Sequence, residues 1–453
     1  MKRNYFVSAL LMLTMGMSLS SCSSDDNDNS SSILQGTANS NQTAVSKGAW
    51  DFYAVSEGDT IYFKKDKTNP GECYVTFKQY NLKNPETGEI TTFYDFDAYD
   101  DQLCEYFDLY YERYSDFDDD SPFSFYSGDI TIPESVTVNG TTYTVTGIGE
   151  NAFYQTEITS LKMPSTIRYI GKEAIEYCYK LTKVELSENL KEIGEWAFFA
   201  DSLLTDITLP SKVTTIGRDA FDSCDGLQKL NIPASVSYIG DGALSECQNL
   251  TTIDVDADNK YYQFKDGVLY NKEGNILHTY LITNKASSFT IPENIDSISD
   301  YAFYACLNLK SVTINSNITS LPLGAFGGCE NLEQVKLPKT IKYIGFSAFS
   351  SCYSLKNIVL PESVEYIGDY AFWKDTALEE INILAGVKYI GYNAFAACES
   401  LKTVKSYITS PFAIDDETFS DYNTPTLYVP SGTKELYETT AGWKNFNNIV
   451  EME

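Results

Sequence analysis

The sequence predicts a β-rich solenoid of 23-residue repeats, with a parallel concave sheet and short helical or 3₁₀ turns. The first observation is an Ala-Phe pair, or a near equivalent, that recurs along the chain at nearly constant steps of one repeat. A fixed period of this length is the sequence signature of a solenoid. The second observation is that each unit passes from alternating apolar residues to Pro, Gly and an apolar pair, which indicates a strand, a corner and a turn. The pairs begin at Ala152, Ala174, Ala197, Ala220, Ala243, Ala302, Ala325, Ala348, Ala371 and Ala394.

Residues 1–21 are typical of a lipoprotein signal peptide. Lys2 and Arg3 precede an apolar run that is too short to span a bilayer. The run ends in Leu-Ser-Ser-Cys22, which resembles a lipobox, so we expect Cys22 to carry lipid after cleavage. The acidic tract that follows is similar to the surface-export signal of Bacteroidetes lipoproteins. We therefore expect a lipid-anchored protein of the outer membrane, exposed on the cell surface; an ordinary secretory peptide that happens to hold a Cys is the alternative.

A flexible tether and an N-terminal cap are expected next. Residues 22–46 are rich in Ser, Asn and Asp, and cannot bury enough apolar surface to offset the entropy of ordering. Residues 47–146 are expected to form a β cap, because a solenoid must cover its open end. Within the cap, Thr60–Phe77 and Asp129–Val145 are typical of strands, and Asn139-Gly140 predicts a β-hairpin turn.

An insertion at 94–120 interrupts this cap with eleven Asp or Glu residues and nine aromatic residues. Part of it has helical spacing, so it could be a helix that packs on the cap. Alternatively, its acidic and aromatic side chains could bind a basic partner. The aromatic residues at helical spacing are Tyr106, Phe107, Tyr110, Tyr111 and Tyr114.

Ten repeats are expected over residues 147–406. In one unit Leu230 and Ile232 alternate as in a strand, Pro233 ends that strand, and Gly240 permits a tight corner. One unit cannot bury its apolar face alone, but stacked units can. The Phe of each Ala-Phe pair is expected to join a buried apolar wall, whose members are Phe153, Phe198, Phe221, Phe303, Phe326, Phe349, Phe372 and Phe395.

The interval from Ala243 to Ala302 is more than twice as long as the other intervals, so one repeat is expected to carry a long insertion. Strand-like pieces and Asp-Gly turns predict a hairpin insertion at 256–290. Residues 407–453 are expected to form a C-terminal cap, in which Trp443 and Phe446 cover the last repeat.

The repeated unit resembles the BspA-type leucine-rich-repeat family of bacterial surface proteins, over residues 130–453. Proteins of this family are often adhesins or host-matrix binders. The resemblance implies a leucine-rich-repeat solenoid and a surface protein that recognises a host matrix protein, an envelope protein or a glycan. Recognition would use the solenoid or the N-terminal insertion. A structural or accessory envelope protein without a soluble ligand of its own is the alternative.

Three tyrosines on the return segment of the repeats are further candidates for binding. Tyr343, Tyr366 and Tyr389 lie one repeat apart. Cross-strand aromatic neighbours stabilise a sheet by ~0.2–1 kcal/mol each, so this ladder can be purely structural. The other interpretation is a platform for a peptide or a sugar.

The positions of the cysteines favour a role in core packing over disulfide bonding. Seven of the ten share one position of the repeat, and free Cys packs as a small hydrophobe. Cys73 and Cys104 lie outside the repeats and could pair with each other. The seven are Cys178, Cys224, Cys247, Cys306, Cys329, Cys352 and Cys398.

Composition excludes several functions. The chain has 33 Lys plus Arg and 63 Asp plus Glu, a net charge of −30, which is unsuited to binding nucleic acid. Its single histidine, His278, excludes multi-His metal sites and leaves little basis for a catalytic triad. His278 lies in an apolar strand, where a structural role is expected. We therefore expect a monomeric protein that is not an enzyme and binds no metal and no cofactor.

Overall fold

The computed structural model describes residues 36–37, 50–56, 59–77, 80–83, 90–93 and 126–453. Cys22, Cys104 and the five aromatic residues of the 94–120 insertion lie outside these residues, so the expectations about them stay predictions. From residue 126 onward the chain winds through about thirteen turns of roughly 23 residues. This confirms the β-rich solenoid.

Each turn begins with a short strand, here called a leading strand. The leading strands form four parallel ladders, in most of which the partners lie one repeat apart, so Lys162 lies opposite Glu185 and Asn382 lies opposite Lys405. An isolated parallel bridge at Asn357 marks one turn that has no full strand. The leading strands are Ser127–Thr131, Glu157–Lys162, Lys183–Glu185, Asp206–Ile207, Lys229–Ile232, Thr252–Val255, Ser288–Ile291, Ser311–Ile314, Gln334–Lys336, Glu380–Ile383, Thr403–Ser406, Thr426–Val429 and Asn448–Glu451.

A second strand, here called a return strand, follows most of the leading strands. Most return strands have only two residues, one exposed or half-buried and the next an apolar residue in the core. Their ladders are also parallel, as between Tyr343 and Tyr366. The return strands are Thr141–Ile148, Tyr169–Ile170, Glu192–Ile193, Thr215–Ile216, Tyr238–Ile239, Ile276–Tyr280, Ser297–Ile298, Ser320–Leu321, Tyr343–Ile344, Tyr366–Ile367 and Tyr389–Ile390.

The third side of each turn is a tight segment around the Ala-Phe pair. In the segment around Phe198, Trp196 and Ala200 have positive φ values of 53° and 58°. The amides of these three residues donate to carbonyls of the following turn, each at 2.9 Å. A bond from the amide of Phe199 to the carbonyl of Trp196, at 3.1 Å, gives the short 3₁₀-like turn that the sequence predicts. Successive turns are therefore hydrogen-bonded on all three sides.

The aromatic residues of these segments stack through the interior. All eight predicted members of the apolar wall are at most 1% exposed, which confirms that prediction. Successive rings stand 4.9 to 5.5 Å apart, a distance typical of stacked aromatic pairs. The stacked pairs are Phe198–Phe221, Tyr280–Phe303, Phe303–Phe326, Phe326–Phe349, Phe349–Phe372, Phe372–Phe395 and Phe395–Phe419.

The corner glycine is required by the close approach of successive turns. A Cβ atom at Gly240 would lie 2.3 Å from the amide nitrogen of Arg218 in the preceding turn. A Cβ atom at Gly217 would likewise lie 2.4 Å from the backbone of Gly194. Neither residue has a positive φ, so a side chain is excluded by space and not by backbone conformation.

The long interval between Ala243 and Ala302 contains a complete additional turn. Tyr280 lies one repeat length before Phe303, and its ring stacks on Phe303 at 5.1 Å. The thiol of Cys306 approaches the carbonyl of Tyr280 at 3.8 Å, as the cysteines of other turns approach a Phe carbonyl. The interval therefore holds one further turn of ordinary length, and the inserted segment is much shorter than the sequence suggests. It includes the antiparallel hairpin strands Tyr262–Lys265 and Val268–Asn271.

The N-terminal cap continues the sheet of return strands. Phe52–Ser56, Asp59–Lys65 and Glu72–Thr76 form an antiparallel meander, and Glu72–Thr76 pairs in parallel with the first return strand. Ser135–Val138 joins that return strand through a hairpin whose Asn139 and Gly140 both have positive φ, as the sequence predicts. The remaining cap strands are Gly36–Thr37, which pairs with Ser135–Val138, and the hairpin Tyr80–Lys83 with Ile90–Phe93.

The C-terminal segment covers the last turn. Among the described residues, the only α-helix is Lys434–Thr439, and the 3₁₀ helix Trp443–Asn445 follows it. Trp443 is fully buried, and its indole nitrogen donates to the carbonyl of Phe412 at 2.9 Å. Phe446 is 4% exposed and packs on Phe419. Both side chains therefore cover the end of the core.

The repeated cysteines form a buried column of free thiols. All seven are buried, and burial raises the pKa of several of them, including Cys178 and Cys224. Most of these thiols donate to a Phe carbonyl of a preceding turn, as Cys224 does to Phe198 at 3.0 Å. Cys73 is buried in its strand, and its pairing with Cys104 stays a prediction because Cys104 lies outside the described residues.

Asp375 occupies the cysteine position of its turn and is fully buried. One carboxyl oxygen accepts the amide of Cys352 at 2.8 Å, and the other has no hydrogen-bond partner. Burial raises the pKa of this carboxyl well above its ordinary value. Above about pH 4 the unfolded chain releases the proton of the Asp375 carboxyl, whereas the folded protein keeps it. The free energy of unfolding therefore falls as the pH rises above about 4.

We expect Asp375→Asn to stabilise the protein at neutral pH by about 1–3 kcal/mol, the usual cost of an unsatisfied buried polar group. The Asn oxygen can still accept the amide of Cys352. By analogy with Cys352 and Cys398, whose thiols donate to the Phe carbonyl of a preceding turn, we expect its NH₂ group to donate to the carbonyl of Phe349. Denaturant unfolding at pH 4 and pH 8 measures the effect, which should be larger at pH 8. Asp375→Cys, which restores the common residue, serves as the matched variant, and a gain that does not depend on pH would contradict this account.

Candidate interaction surface

The three tyrosines form a continuous ladder on the outside of the return strands. Tyr343, Tyr366 and Tyr389 are paired in register. Their exposed fractions are 47%, 36% and 40%. The rings of Tyr366 and Tyr389 are nearly parallel with centroids 4.4 Å apart, whereas Tyr343 is tilted at 6.2 Å from Tyr366. The structure therefore brings these three predicted residues together, and it leaves a large part of each in solvent.

Asp369 fixes one end of the tyrosine ladder. Its Oδ1 atom accepts the hydroxyl of Tyr389 at 3.0 Å and the amide of Tyr392 at 3.0 Å. Burial, followed by the nearby Asp369 carboxylate, raises the pKa of Tyr389, so its hydroxyl stays a donor near neutral pH. The ladder also has a charged neighbour, because Lys388 and Glu365 are 2.6 Å apart beside it. The Tyr389 hydroxyl is thus held in place while its ring stays partly exposed.

More aromatic residues extend this surface toward the turn segments, and the sequence analysis did not single them out. Tyr392 is 39% exposed and packs edge-on against Tyr370, which also contacts Trp373 and Phe346. The ammonium group of Lys374 lies 4.0 Å from the centroid of the Trp373 ring. Their signal in the sequence was weak, because they occupy variable positions that carry Gly, Ser, Ala, Asn, Asp or Leu in neighbouring repeats. The aromatic surface is defined here as Tyr343, Phe346, Tyr366, Tyr370, Trp373, Tyr389 and Tyr392.

Other tyrosines at the ladder position are isolated. Tyr169 lies over Gly147, so closely that a Cβ atom there would be 2.0 Å from the Tyr169 ring. Tyr238 is 54% exposed and has Thr215 as its strand neighbour. Only the later turns therefore combine three consecutive tyrosines with additional aromatic neighbours in the described part of the chain.

The outward residues of the leading strands offer no comparable feature. Their charges pair within the sheet, as Lys229 does with Asp254 at 2.9 Å and Lys405 with Glu380 at 2.8 Å. Val359 is 79% exposed in an otherwise polar column. This mixture of residues specifies no single ligand chemistry.

The described residues contain no group of three or more His, Cys, Asp or Glu side chains that could hold a metal ion. His278 is buried, and its Nε2 atom lies 2.8 Å from the carbonyl oxygen of Ile239. It therefore has the structural position that the sequence suggests. In the same described ranges, no helix combines the length and the apolar character needed to cross a membrane.

Comparison with protein families gives one match, to a family model described as BspA type leucine rich repeat region. Six copies of it match residues 146–273, 278–402 and 367–450. Among curated proteins, none matches this chain significantly.

Solved structures of bacterial repeat proteins are also similar. The pneumococcal vaccine antigen PcpA is 18% identical with a TM-score of 0.51, and the alignment covers 88% of this chain and 98% of that one. A leucine rich cell surface protein from Faecalibacterium prausnitzii is 26% identical with a TM-score of 0.46, covering 78% and 94%. A leucine-rich repeat protein from Bacteroides ovatus is 26% identical with a TM-score of 0.35, covering 76% and 92%. PcpA supports the fold alone.

Proposed function

Because the chain belongs to the BspA-type leucine-rich repeat family, we propose that it is a cell-surface protein that binds a protein partner through its aromatic surface. Membership of this family suggests a cell-surface location and a role in protein binding or adhesion. The partner would be a host matrix protein or another protein of the cell envelope. The observation that carries the proposal is the exposed, continuous tyrosine ladder.

Packing alone does not account for this surface. Each ladder tyrosine is at least 36% exposed, although the inward-facing Ile of the same strands already closes the core. Tyr and Trp are enriched at the energetic centres of protein interfaces, because they supply rigid apolar area with a polar tip. Four exposed tyrosines beside Trp373 provide such a centre, with Lys388, Glu365 and Asp369 as charged neighbours.

The ring geometry favours a protein over a glycan at this surface. A sugar usually stacks on the face of an aromatic ring, but Tyr366 and Tyr389 each cover one face of the other ring at 4.4 Å. This stacking reduces the ring area open to a sugar and leaves ring edges for contact with a partner. Side chains and backbone groups of a protein can contact edges and hydroxyls, as aromatic edge-to-face pairs do within proteins.

The proposal is tested by measuring binding of the purified chain to an array of extracellular-matrix proteins, followed by substitution. We expect Tyr366→Ala to weaken binding to any partner found by about tenfold or more, since central interface tyrosines commonly contribute at least 1–2 kcal/mol. Tyr238→Ala is the matched control, because it removes the same side chain from the same position of an earlier return strand. Surface plasmon resonance measures both affinities.

Equal affinities of the two variants would contradict the proposal that the aromatic surface binds the partner. Deleting residues 94–120 and closing the chain with a Gly-Ser linker should leave the affinity unchanged. Loss of binding in that deletion would assign recognition to Tyr106, Phe107, Tyr110, Tyr111 and Tyr114 instead. If no protein on the array or of the envelope binds, the alternative function holds, a structural or accessory envelope protein without its own soluble ligand.

Anchoring by lipid on Cys22 and a place in the outer membrane complete the proposal. The support is the lipobox-like Leu-Ser-Ser-Cys22 sequence and the charged start of the chain. We expect Cys22→Ser to abolish labelling by radioactive palmitate and to release the protein from the membrane fraction. Cys73→Ser is the control for loss of a thiol. Retention of both label and membrane association in Cys22→Ser would contradict the anchor.

A further inference from the structure

A second surface, far in sequence from the tyrosine ladder, has an unusual local charge. A groove of about 340 Å³ lies where the N-terminal cap meets the first turns of the solenoid. Its lining includes three cations, Arg168, Lys191 and Lys212, and a single carboxylate, Glu72. The lining thus carries a formal charge of +2 on a chain whose net charge is −30.

Two of the three cations have no carboxylate partner among the residues that the structure describes. Arg168 is paired with Glu72, whose Oε2 atom lies 2.5 Å from Nη2. The ammonium group of Lys212 donates to the side-chain oxygen of Asn189, which is neutral. Lys191 is exposed and forms no ion pair with any residue that the structure describes. The two lysines therefore present positive charge that the fold itself leaves uncompensated.

The fold arranges these cations as a row along the solenoid. The amide of Lys191 donates to the carbonyl of Arg168 at 2.8 Å, so the two residues occupy the same position of adjacent turns. Lys212 reaches back from the following turn to Asn189. Adjacent turns are separated by the ~4.7–4.9 Å spacing of neighbouring strands, so the cations span about two such steps.

The rest of the lining is polar and rich in hydroxyl groups. Among the described residues it contains no aliphatic and no aromatic side chain, unlike the energetic centre of a protein interface or most pockets for small apolar ligands. Its neutral members are Thr144, Thr146, Ser165, Thr166 and Asn189. Thr166 has a buried hydroxyl oxygen without a hydrogen-bond partner.

We propose that this groove binds an anionic oligosaccharide. Carboxylate or sulfate groups of the sugar contact Lys191 and Lys212, and its hydroxyl groups exchange hydrogen bonds with the threonines and Asn189. A peptide would bring aliphatic or aromatic side chains, and no such residue lines the groove among the described residues. The bound segment is short, because a longer polyanion would extend over a surface that carries a large excess of acidic residues.

This site is independent of the protein-binding surface proposed above. The groove uses the cap and the first turns, whereas the tyrosine ladder lies on return strands that begin at residue 343. Failure of one proposal therefore leaves the other unaffected.

Calorimetry on the purified full chain tests the inference with defined probes. The probes are a galacturonate hexasaccharide, a sulfated dextran hexasaccharide, a neutral dextran hexasaccharide and hexaglutamate. We expect at least one of the two anionic sugars to bind, more weakly at higher salt, and the neutral sugar not to bind. The two anionic sugars distinguish a uronate from a sulfate as the recognised group.

Variants then locate the site. Lys191→Gln together with Lys212→Gln should weaken binding by about tenfold or more, as expected for loss of two direct charge contacts. Lys356→Gln together with Lys402→Gln makes the same change in net charge at exposed positions elsewhere and should have little effect. Glu72→Gln should strengthen binding, because it removes the carboxylate that competes for Arg168. A purely structural role of these residues would not produce that gain.

Three results would overturn the inference. The first is absence of binding by both anionic sugars. The second is an equal loss of affinity in the two lysine double variants, which would indicate a non-specific charge effect. The third is binding of hexaglutamate as tight as that of the sugars, which would make the groove a site for acidic peptides. Thermal unfolding of each variant verifies that the fold is retained.

Discussion

Phe349→Ala is expected to lower the free energy of unfolding by about 3–5 kcal/mol, the usual range for removing a buried Phe side chain. Phe349 is fully buried in the middle of the aromatic stack. Its ring centroid lies 5.5 Å from that of Phe326 and 5.4 Å from that of Phe372. The loss combines the transfer of the ring out of the core with the cavity that stacked neighbours on both sides cannot fill.

The effect should reach beyond one turn. A solenoid is stabilised mainly by contacts between neighbouring repeats, so a cavity at Phe349 weakens the coupling between the turns on either side of it. Guanidinium unfolding followed by circular dichroism measures the loss and shows whether the transition becomes broader or splits. Tyr407→Ala, at a residue that is 40% exposed, is the control and should cost far less. A loss below about 1 kcal/mol for Phe349→Ala would contradict the stacked core, because large-to-small core changes cost several times more.

His278→Phe is expected to destabilise the protein by about 1–3 kcal/mol, because it leaves a buried carbonyl without its donor. The return strand Tyr238–Ile239 ends a ladder of strands, and no strand of the described residues pairs with its free edge. Two side chains take the place of that strand. The amide of Ile239 donates to the Tyr262 hydroxyl at 2.8 Å, and His278 Nε2 donates to the Ile239 carbonyl at 2.8 Å.

The same histidine makes stability depend on pH. Burial lowers the pKa of His278, so between that lowered value and about 6.5 the unfolded chain binds a proton that the folded chain does not. The contribution of His278 is therefore complete above pH 6.5 and is lost as the pH falls through this window. His278→Gln, which keeps an NH donor but does not titrate, should lose less stability on acidification than the natural protein.

The comparison must be made as a difference between variants, since buried Asp201 and Asp375 have raised pKa values and shift stability in the opposite direction over part of this range. Urea unfolding at pH 5 and pH 7.5 gives the four free energies required. Equal losses on acidification in the natural protein and in His278→Gln would contradict the assigned role of His278.

The local repeat could be predicted well because each position is determined by a short-range physical need. Phe349 follows Ala348 at a buried turn, and Gly240 occurs where successive backbones approach too closely for a side chain. These requirements recur in most of the ten repeats, so one sequence reveals them many times. The turn that contains Tyr280 was not predicted, because it lacks the recurrent Ala-Phe pair and is interrupted by a hairpin.

The surfaces were harder to predict because they join residues that are distant in sequence or occupy variable positions. Glu72 forms an ion pair with Arg168 only because the cap strand Glu72–Thr76 pairs in parallel with the first return strand. No spacing in the sequence links these two residues. The tyrosine ladder was visible from its period, but its stacked geometry at Tyr366 and Tyr389 was not, and that geometry separates a protein partner from a glycan.

Hydroxyl-radical footprinting tests the central claim, that the tyrosine ladder is where a protein partner binds. The chain is oxidised alone and in complex with the partner identified on the matrix array, and the modification of each tyrosine is quantified. The account predicts protection of Tyr343, Tyr366 and Tyr389, with Tyr238 and Tyr261, which are 54% and 48% exposed, unchanged. Protection that spares the ladder and falls on the leading strands, or on Tyr106 to Tyr114, would contradict it.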